Sequence, residues 1–215
     1  MPQTHVGRRI WDISQVLRPG LPVWPGDTAF QQVGTWQIEG GAPVNVSALT
    51  LSTHSGAHAD APLHYAATAP DIASVALEPY LGECLVADVR GCGALVEPHH
   101  LPPLDGARRV LLRTYGRFPH EAWDAQHTAI APATIAALAA EGVLLIGMDG
   151  PSLDPQDSKT MDAHLAVLAA DIRVLEGLVL DEVPPGRYEL IALPLPIAGG
   201  DASPVRAILR ELPHA

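Results

Sequence analysis

The residues with the clearest chemical potential are three histidines and an aspartate within one short segment. His54, His58 and His64 lie within eleven residues, and Asp60 stands between the last two. If the chain from His58 onward is extended, period-two alternation places His58, Asp60 and His64 on one side. Gly56 can bend the chain and return His54 toward the same point. Imidazole and carboxylate groups are the ligands expected for Zn²⁺, with Mn²⁺, Fe²⁺ or Co²⁺ as substitutes.

The alternative for this short pattern is a loop of solvated histidines, and two distant residues favour the metal or catalytic interpretation. Glu176 lies in an apolar run, residues 172–180, where an unpaired carboxylate is costly to bury. His164 is a polar group among Leu165 and Val167 on a predicted helix. A hydrogen-bonded core histidine is the other interpretation of His164. Both residues therefore need partners that their local sequence does not provide.

Several common enzyme classes lack their sequence signatures. The chain has no G-x-S-x-G nucleophile motif, no G-x-x-x-x-G-K-[ST] phosphate loop and no H-E-x-x-H motif, and Gly91-Cys92-Gly93 lacks the third glycine of a dinucleotide site. Cys84 and Cys92, eight residues apart, match neither a C-x-x-C pair nor a thiolate zinc site. We interpret them as two ordinary buried thiols.

Charge and hydropathy limit the partners. The formal net charge is −11, without a cluster of Lys or Arg, which disfavours binding to a nucleic acid backbone. No apolar run approaches the roughly 18 residues that a membrane helix needs, and the first twelve residues lack a secretory signal pattern. We therefore expect a soluble cytoplasmic protein without membrane or nucleic acid partners, which leaves small molecules or proteins.

The sequence predicts a single α/β or α+β domain with mixed strand directions. Helices are expected at 132–141, opened by Pro132 and closed by Gly142, and at 161–170. The first 40 residues, rich in Trp and Pro, predict an irregular arm. Strands are expected at residues 45–53, 83–89, 109–114, 143–148, 172–180 and 188–194.

The segment 54–64 fits H-x-G-[TA]-H-x-D-x-P-x-H and resembles the signature of the cyclase-like metal-dependent hydrolases, in particular their arylformamidase branch. Ala57 stands where many members have Thr, but alanine supplies no ligand in any case. The resemblance covers nearly the whole chain. It also includes the motifs Trp11-Asp12-Ile13-Ser14, Val23-Trp24-Pro25-Gly26-Asp27, Ser52-Thr53-His54 and Met148-Asp149-Gly150-Pro151-Ser152-Leu153-Asp154, with His164 and Glu176 twelve residues apart.

The resemblance implies a two-zinc site in a swivelling β/α fold with a mixed sheet or barrel-like core. His54, His58 and Asp60 would hold one zinc ion. Asp60, His164 and Glu176 would hold a second, so that Asp60 bridges the pair. Such a pair activates water for attack on an amide carbonyl.

The resemblance also implies the reaction and two further roles. His64 matches the general acid/base, and Trp24 matches a residue that contacts the substrate, although a core position is the alternative for this tryptophan. The implied reaction is hydrolysis of N-formyl-L-kynurenine to L-kynurenine and formate, in tryptophan degradation. Asp149 would either orient a metal-bound histidine or cap the turn before Gly150.

The resemblance further implies a homodimer, with the arm of residues 10–36 as the element that crosses to the neighbour. Two alternatives stay open. One is another cyclase-like hydrolase that opens isatin or a related cyclic amide, because pocket walls decide the substrate. The other is a non-catalytic module with a closed structural metal.

Overall fold

Short apolar runs bounded by Gly, Pro or Asp form most of the strands, as their β-branched and leucine-rich composition predicts. The computed structural model describes residues 7–213. Its strands are β1 (Ile10–Asp12), β2 (Gln31–Trp36), β3 (Val46–Thr50), β4 (His58–Asp60), β5 (Leu81–Asp88), β6 (Leu95–Val96), β7 (Arg109–Arg113), β8 (Ala129–Ile130), β9 (Leu145–Met148), β10 (Arg173–Glu176), β11 (Gly186–Ile191), β12 (Ala202–Pro204) and β13 (Ile208–Arg210).

Two α-helices lie in the second half of the chain, α1 (Pro132–Ala140) and α2 (Asp162–Ala169). Pro132 opens α1, where its missing N–H costs nothing. The 3-10 turns are Ile38–Gly40, Pro62–His64, Glu78–Tyr80 and Pro98–His100.

Nine strands form one mixed sheet in the order β1-β13-β11-β5-β7-β9-β10-β4-β12. The central pairs β5–β7, β7–β9 and β9–β10 are parallel, and the remaining pairs are antiparallel. Helix α2 provides the crossover between the parallel neighbours β9 and β10. The mixed α/β fold predicted from the sequence is therefore confirmed.

The core is divided between the two faces of this sheet. On β7, Leu111 belongs to one apolar cluster, while Val110 and Leu112 belong to the other, as the two-residue repeat of a strand requires. Helices α1 and α2 cover the second face through Ile135 and Val167, among others. A strand buried on both faces favours a continuous apolar run, as seen at residues 110–112 of β7 and along β9.

Three strand predictions need correction. The predicted strand 172–180 ends at Glu176, because Gly177 has a φ of +66°. The extended segment expected from His58 to His64 ends at Asp60, where Pro62 begins a 3-10 turn. The run 45–53 forms a strand only over β3, which pairs with β2 in a separate hairpin instead of the main sheet. The other predicted strands and both helices are present within a few residues of their expected bounds.

The N-terminal arm is irregular only in part. Residues 1–6 lie outside the described range, β1 is the edge strand of the main sheet, and β2 belongs to the hairpin. Trp11 is buried in the core and packs edge-on against Tyr188, at 5.0 Å between ring centroids. Cys84 is buried as expected, whereas Cys92 is partly exposed. Within residues 7–213, no helix has the length and apolar character needed to cross a membrane.

Candidate active site

The register of strand β4 brings together three of the predicted ligands. In the antiparallel ladder between β10 and β4, Glu176 lies opposite His58, and directly opposed residues project to the same face. Asp60 is two residues beyond His58 and shares that face. All three side chains are buried, and Asp60 has no exposed surface. The fold therefore concentrates two carboxylates and an imidazole in the interior.

His54 returns to this cluster through the bend at Gly56, as the sequence predicted. Gly56 has a φ of +66°, and its carbonyl oxygen accepts a hydrogen bond from His58 Nδ1 at 2.9 Å. Gly177, directly after Glu176, packs on the same carbonyl; a Cβ at position 177 would lie 2.6 Å from Gly56 O. The bend and the end of β10 thus fit together only because residue 177 has no side chain.

Helix α2 supplies His164, and Asp154 fixes its orientation. Asp154 Oδ2 accepts hydrogen bonds from the His164 backbone N–H at 3.0 Å and from Nδ1 at 2.6 Å, and Oδ1 accepts one from Ala163 N. The same carboxylate therefore caps the first turn of the helix and holds the imidazole. The opposite ring nitrogen, Nε2, lies 3.5 Å from both Asp60 Oδ2 and Glu176 Oε1.

The five predicted ligands meet at one centre. His54 Nδ1 lies 3.2 Å from Asp60 Oδ1, and His58 Nε2 lies 3.3 Å from Glu176 Oε2. Two groups have ligand atoms within 4.8 Å of one another: His54, Asp60 and His64 in one, and His58, Asp60 and Glu176 in the other. Asp60 is common to both groups. His64 is therefore also within reach of the ligand cluster.

The hydrogen bonding of this centre fits a divalent cation. In each of the three ligand histidines, the ring nitrogen that points away from the centre, here called the outer nitrogen, is hydrogen-bonded to an oxygen atom. The partners are Gly56 O for His58, Asp154 for His164 and Asp201 for His54. Among residues 7–213, the inner nitrogens of His58 and His164 and both Asp60 oxygens are buried without a hydrogen-bond partner. Unpaired buried polar atoms are expensive, so a ligand set of this kind satisfies them by binding a metal ion.

Burial and charge oppose each other at the centre. Burial alone would raise the pKa of Asp60, but the adjacent His164 and His54 imidazoles hold it well below its usual range. Burial would lower the pKa of His54, but Asp60 and Asp201 raise it to about 9. Without a cation, the carboxylates are stabilised by protonated imidazoles. A divalent ion can replace those protons as the positive charge.

His64 lies beside the ligands on the 3-10 turn, with its ring centroid 4.3 Å from that of His54. Burial, together with the positive charges of His54 and His164, lowers the pKa of His64. Its Nδ1 is 3.6 Å from Asp201 Oδ2. Thus the turn that replaces the predicted strand still delivers the His64 side chain to the site.

A cavity of about 300 Å³ opens over the centre. Trp24 and Trp123 meet edge-on in its wall, with ring centroids 5.2 Å apart. Tyr115, Phe118 and Met161 contribute further apolar surface. The volume and the aromatic lining are those of a site for a small organic molecule.

The two roles considered for Asp149 were an orienter of a metal-bound histidine and a cap of the turn before Gly150, and the structure shows it bound to a different loop. Its carboxylate accepts hydrogen bonds from the backbone N–H groups of Thr114 and Tyr115 and from Thr114 Oγ1, so it organises the loop after β7. Burial raises the pKa of Asp149 despite these bonds. Asp154, five residues later, orients the histidine instead.

Asp201 and the cavity wall formed by Tyr115, Phe118 and Trp123 were not predicted from the sequence. The position of Asp154, shortly before the predicted helix that carries His164, could have suggested a cap. Asp201 has no local signal, because its contact with His54 spans 147 residues of chain.

Fold and site together define the class of protein: an α/β chain whose sheet supports a buried His, Asp and Glu centre for divalent metal below an aromatic cavity. The family described as "Putative cyclase" matches residues 11–155, and the chain belongs to this family. A solved structure described as a potential metal-dependent hydrolase with cyclase activity superposes with a TM-score of 0.82 at 25% identity, covering 96% of this chain and all of that one.

Two relatives within the family are much more similar in sequence to this chain than that solved structure is. The chain is 59% identical over 208 residues to the kynurenine formamidase of Erythrobacter litoralis (strain HTCC2594), covering 97% of this chain and 96% of that protein. It is 60% identical over 207 residues to the kynurenine formamidase of Maricaulis maris (strain MCS10), with coverages of 95% and 99%. The family resemblance found in the sequence is confirmed.

Proposed function

We propose that this chain hydrolyses N-formyl-L-kynurenine to L-kynurenine and formate. The observation that carries the proposal is the buried centre, whose inward-facing nitrogen and oxygen atoms lack hydrogen-bond partners within residues 7–213 and lie at the base of an aromatic cavity. The two relatives near 60% identity bear the name of this activity. An aryl formamide has a flat ring that can pack against the aromatic wall of the cavity and a small formyl carbonyl that can reach the ligand residues at its base.

His54, His58, Asp60, His164 and Glu176 would hold two divalent ions, for which zinc is the first choice of this ligand chemistry and Mn²⁺ an alternative. Asp60 is the bridging candidate because it belongs to both ligand groups. When bound, two such ions lower the pKa of a water molecule and polarise the formyl carbonyl. The chain itself keeps the ligand nitrogens aimed inward, through the outer hydrogen bonds made by Gly56, Asp154 and Asp201.

His64 is the proposed catalytic acid/base. Its Nδ1 faces Asp201, which leaves Nε2 to carry the transferable proton. A neutral imidazole at this position can receive the proton released by water and deliver it to the leaving aniline nitrogen. One water proton thus ends on the amine, and the remaining hydroxyl group forms formic acid, which releases its proton to solvent as formate.

Trp24 is the proposed contact for the aryl ring. It lies in the cavity wall beside Trp123, at an interplanar angle of 72°. Edge-to-face and offset contacts between aromatic rings stabilise such pairs by about 0.5 to 1.5 kcal/mol beyond area burial. Trp24 and Trp123 can therefore hold the ring while the formamide reaches the histidines.

The direct test is turnover by the purified protein of N-formylkynurenine, with isatin as the competing substrate, accompanied by metal analysis. We expect clear preference for N-formylkynurenine, loss of activity on chelation and recovery on adding Zn²⁺ or Mn²⁺. Preference for isatin would favour the cyclic amide alternative. Full turnover after rigorous removal of metal would contradict the proposed chemistry.

His64→Ala separates an enzyme from a metal-binding module. We expect hydrolysis to fall by about 10²- to 10⁴-fold, the usual contribution of a general acid or base, with metal content unchanged. A variant that lost metal in proportion to activity would identify His64 as a ligand, which its position beside His54 and Asp60 also allows.

We further propose a homodimer whose interface includes the β2–β3 hairpin. This hairpin pairs with no other strand among residues 7–213, and an isolated two-stranded hairpin is marginally stable in water. It exposes Val33 (64%), Trp36 (56%) and Leu49 (55%). A second copy would cover these side chains. Mass measurement in dilute solution tests this proposal, and a stable, active monomer would contradict it.

A further inference from the structure

Asp201 contacts both histidines that flank the centre. Its Oδ2 lies 3.1 Å from His54 Nε2 and 3.6 Å from His64 Nδ1, and its Oδ1 accepts a hydrogen bond from Thr53 Oγ1 at 2.9 Å. Asp201 is only partly exposed, and its pKa is lowered: burial would raise it, but the hydrogen bonds with His54 and Thr53 outweigh burial. One carboxylate therefore serves a ligand and the acid/base residue together.

The backbone holds Asp201 and His64 in fixed relation. Ala61 N donates to Asp201 O at 2.8 Å, and Ala61 O accepts from His64 N at 2.9 Å. Directly after Asp201, Ala202 pairs with Asp60 in the ladder between β12 and β4. The N–H and C=O groups of Ala61 thus tie the backbones of Asp201 and His64 to each other.

We propose that Asp201 is a positioning residue that acts through His64. The carboxylate attracts the Nδ1–H tautomer of His64 and leaves Nε2 as the atom that takes and gives the proton, as a carboxylate partner does for other catalytic histidines. The inference rests on the proposed function. Asp201 also forms a hydrogen bond with His54, which is a proposed metal ligand. The test must therefore distinguish an effect through His64, the acid/base residue, from an effect through His54.

The leaving group provides that distinction. The nitrogen of an aryl formamide must be protonated to depart, whereas 4-nitrophenolate leaves an ester as a stable anion. A defect in proton delivery therefore slows N-formylkynurenine hydrolysis far more than 4-nitrophenyl formate hydrolysis. A defect in metal binding or folding slows both reactions together.

The experiment compares Asp201→Asn, His64→Ala and the double variant with the wild-type holoenzyme on both substrates, with spontaneous ester hydrolysis subtracted. For Asp201→Asn we expect kcat on N-formylkynurenine to fall about 10- to 100-fold, the usual effect of losing such an orienting partner. With zinc in saturating excess, so that a weaker hold on His54 does not empty the centre, KM and metal content should stay near wild type, and the ester rate should fall far less than the N-formylkynurenine rate. In the double variant, Asp201→Asn should cause no loss beyond that of His64→Ala.

Asp157→Asn is the matched control, because Asp157 is exposed and does not line the cavity. Equal losses on both substrates, incomplete metal content even in saturating zinc, or an unchanged kcat for Asp201→Asn would each overturn the inference. A further loss in the His64→Ala background would also overturn it. Failure of the wild-type holoenzyme to hydrolyse N-formylkynurenine would instead reject the proposed function.

Discussion

Replacing Asp154 by Asn tests whether the outer hydrogen bonds set the metal affinity. The Asp154 carboxylate accepts from Ala163 N, His164 N and His164 Nδ1, and all three residues are buried. The isosteric amide has one acceptor oxygen, so its NH₂ group must face a donor in either orientation. A buried donor without a partner costs about 1 to 3 kcal/mol, and we expect a loss of this size in the free energy of unfolding of the metal-free protein.

Metal binding should weaken as well. Loss of an outer partner of a ligand histidine typically reduces metal affinity 10- to 100-fold, which corresponds to about 1.4 to 2.8 kcal/mol of binding free energy. The dissociation constant is measured by zinc titration against a competing chelator, and stability by denaturant unfolding with and without metal. Asp157→Asn, three residues away and exposed, is the control.

The outcome separates two explanations of the Asp154–His164 contact. If Asp154→Asn loses stability but keeps wild-type zinc affinity, the carboxylate is a helix cap only and does not hold His164 for a metal. If both quantities fall, the contact links the start of helix α2 to the centre.

Three other variants test separate parts of the site. Glu176→Ala should lower the number of ions per chain, measured by elemental analysis; two ions with full turnover would remove Glu176 from the ligand set. Gly177→Ala should destabilise the protein by at least about 1 to 2 kcal/mol in denaturant unfolding, because φ is +66° and the new Cβ would meet Gly56 O. Gly116→Ala, in open space, should change stability by less than about 0.5 kcal/mol, and equal losses would contradict the argument. Trp24→Ala should raise KM for N-formylkynurenine about 2- to 10-fold in steady-state assays, and an unchanged KM would exclude ring contact.

Residues with strong local signals were predicted correctly. The run 109–114 contains β7, and Pro132 marks the start of α1. The spacing of His54, His58 and Asp60 predicted their convergence, because a strand alternates and Gly56 permits the return bend. Local signals succeed here because backbone geometry acts over a few residues.

Local sequence patterns failed where the same residue types are compatible with two different tertiary placements. The apolar residues of 45–53 predict a strand, but they do not reveal that β3 lies in an exposed hairpin outside the main sheet. Asp149 and Asp154 both follow the buried strand β9, and only packing against helix α2 determines which carboxylate reaches His164. The polarity of an aspartate indicates that it needs partners, but not which ones.

The sequence by itself determined which side-chain types are available for the centre. It also showed that Glu176 and His164 need distant partners, since both have apolar neighbours and an unpaired buried polar group is costly. The tertiary structure alone decided which partners meet. Strand register places Glu176 opposite His58, and the pairing of β12 with β4 brings Asp201 to two histidines that precede it by well over a hundred residues. Such contacts depend on how strands pair across the sheet, and pairing is a property of the whole chain.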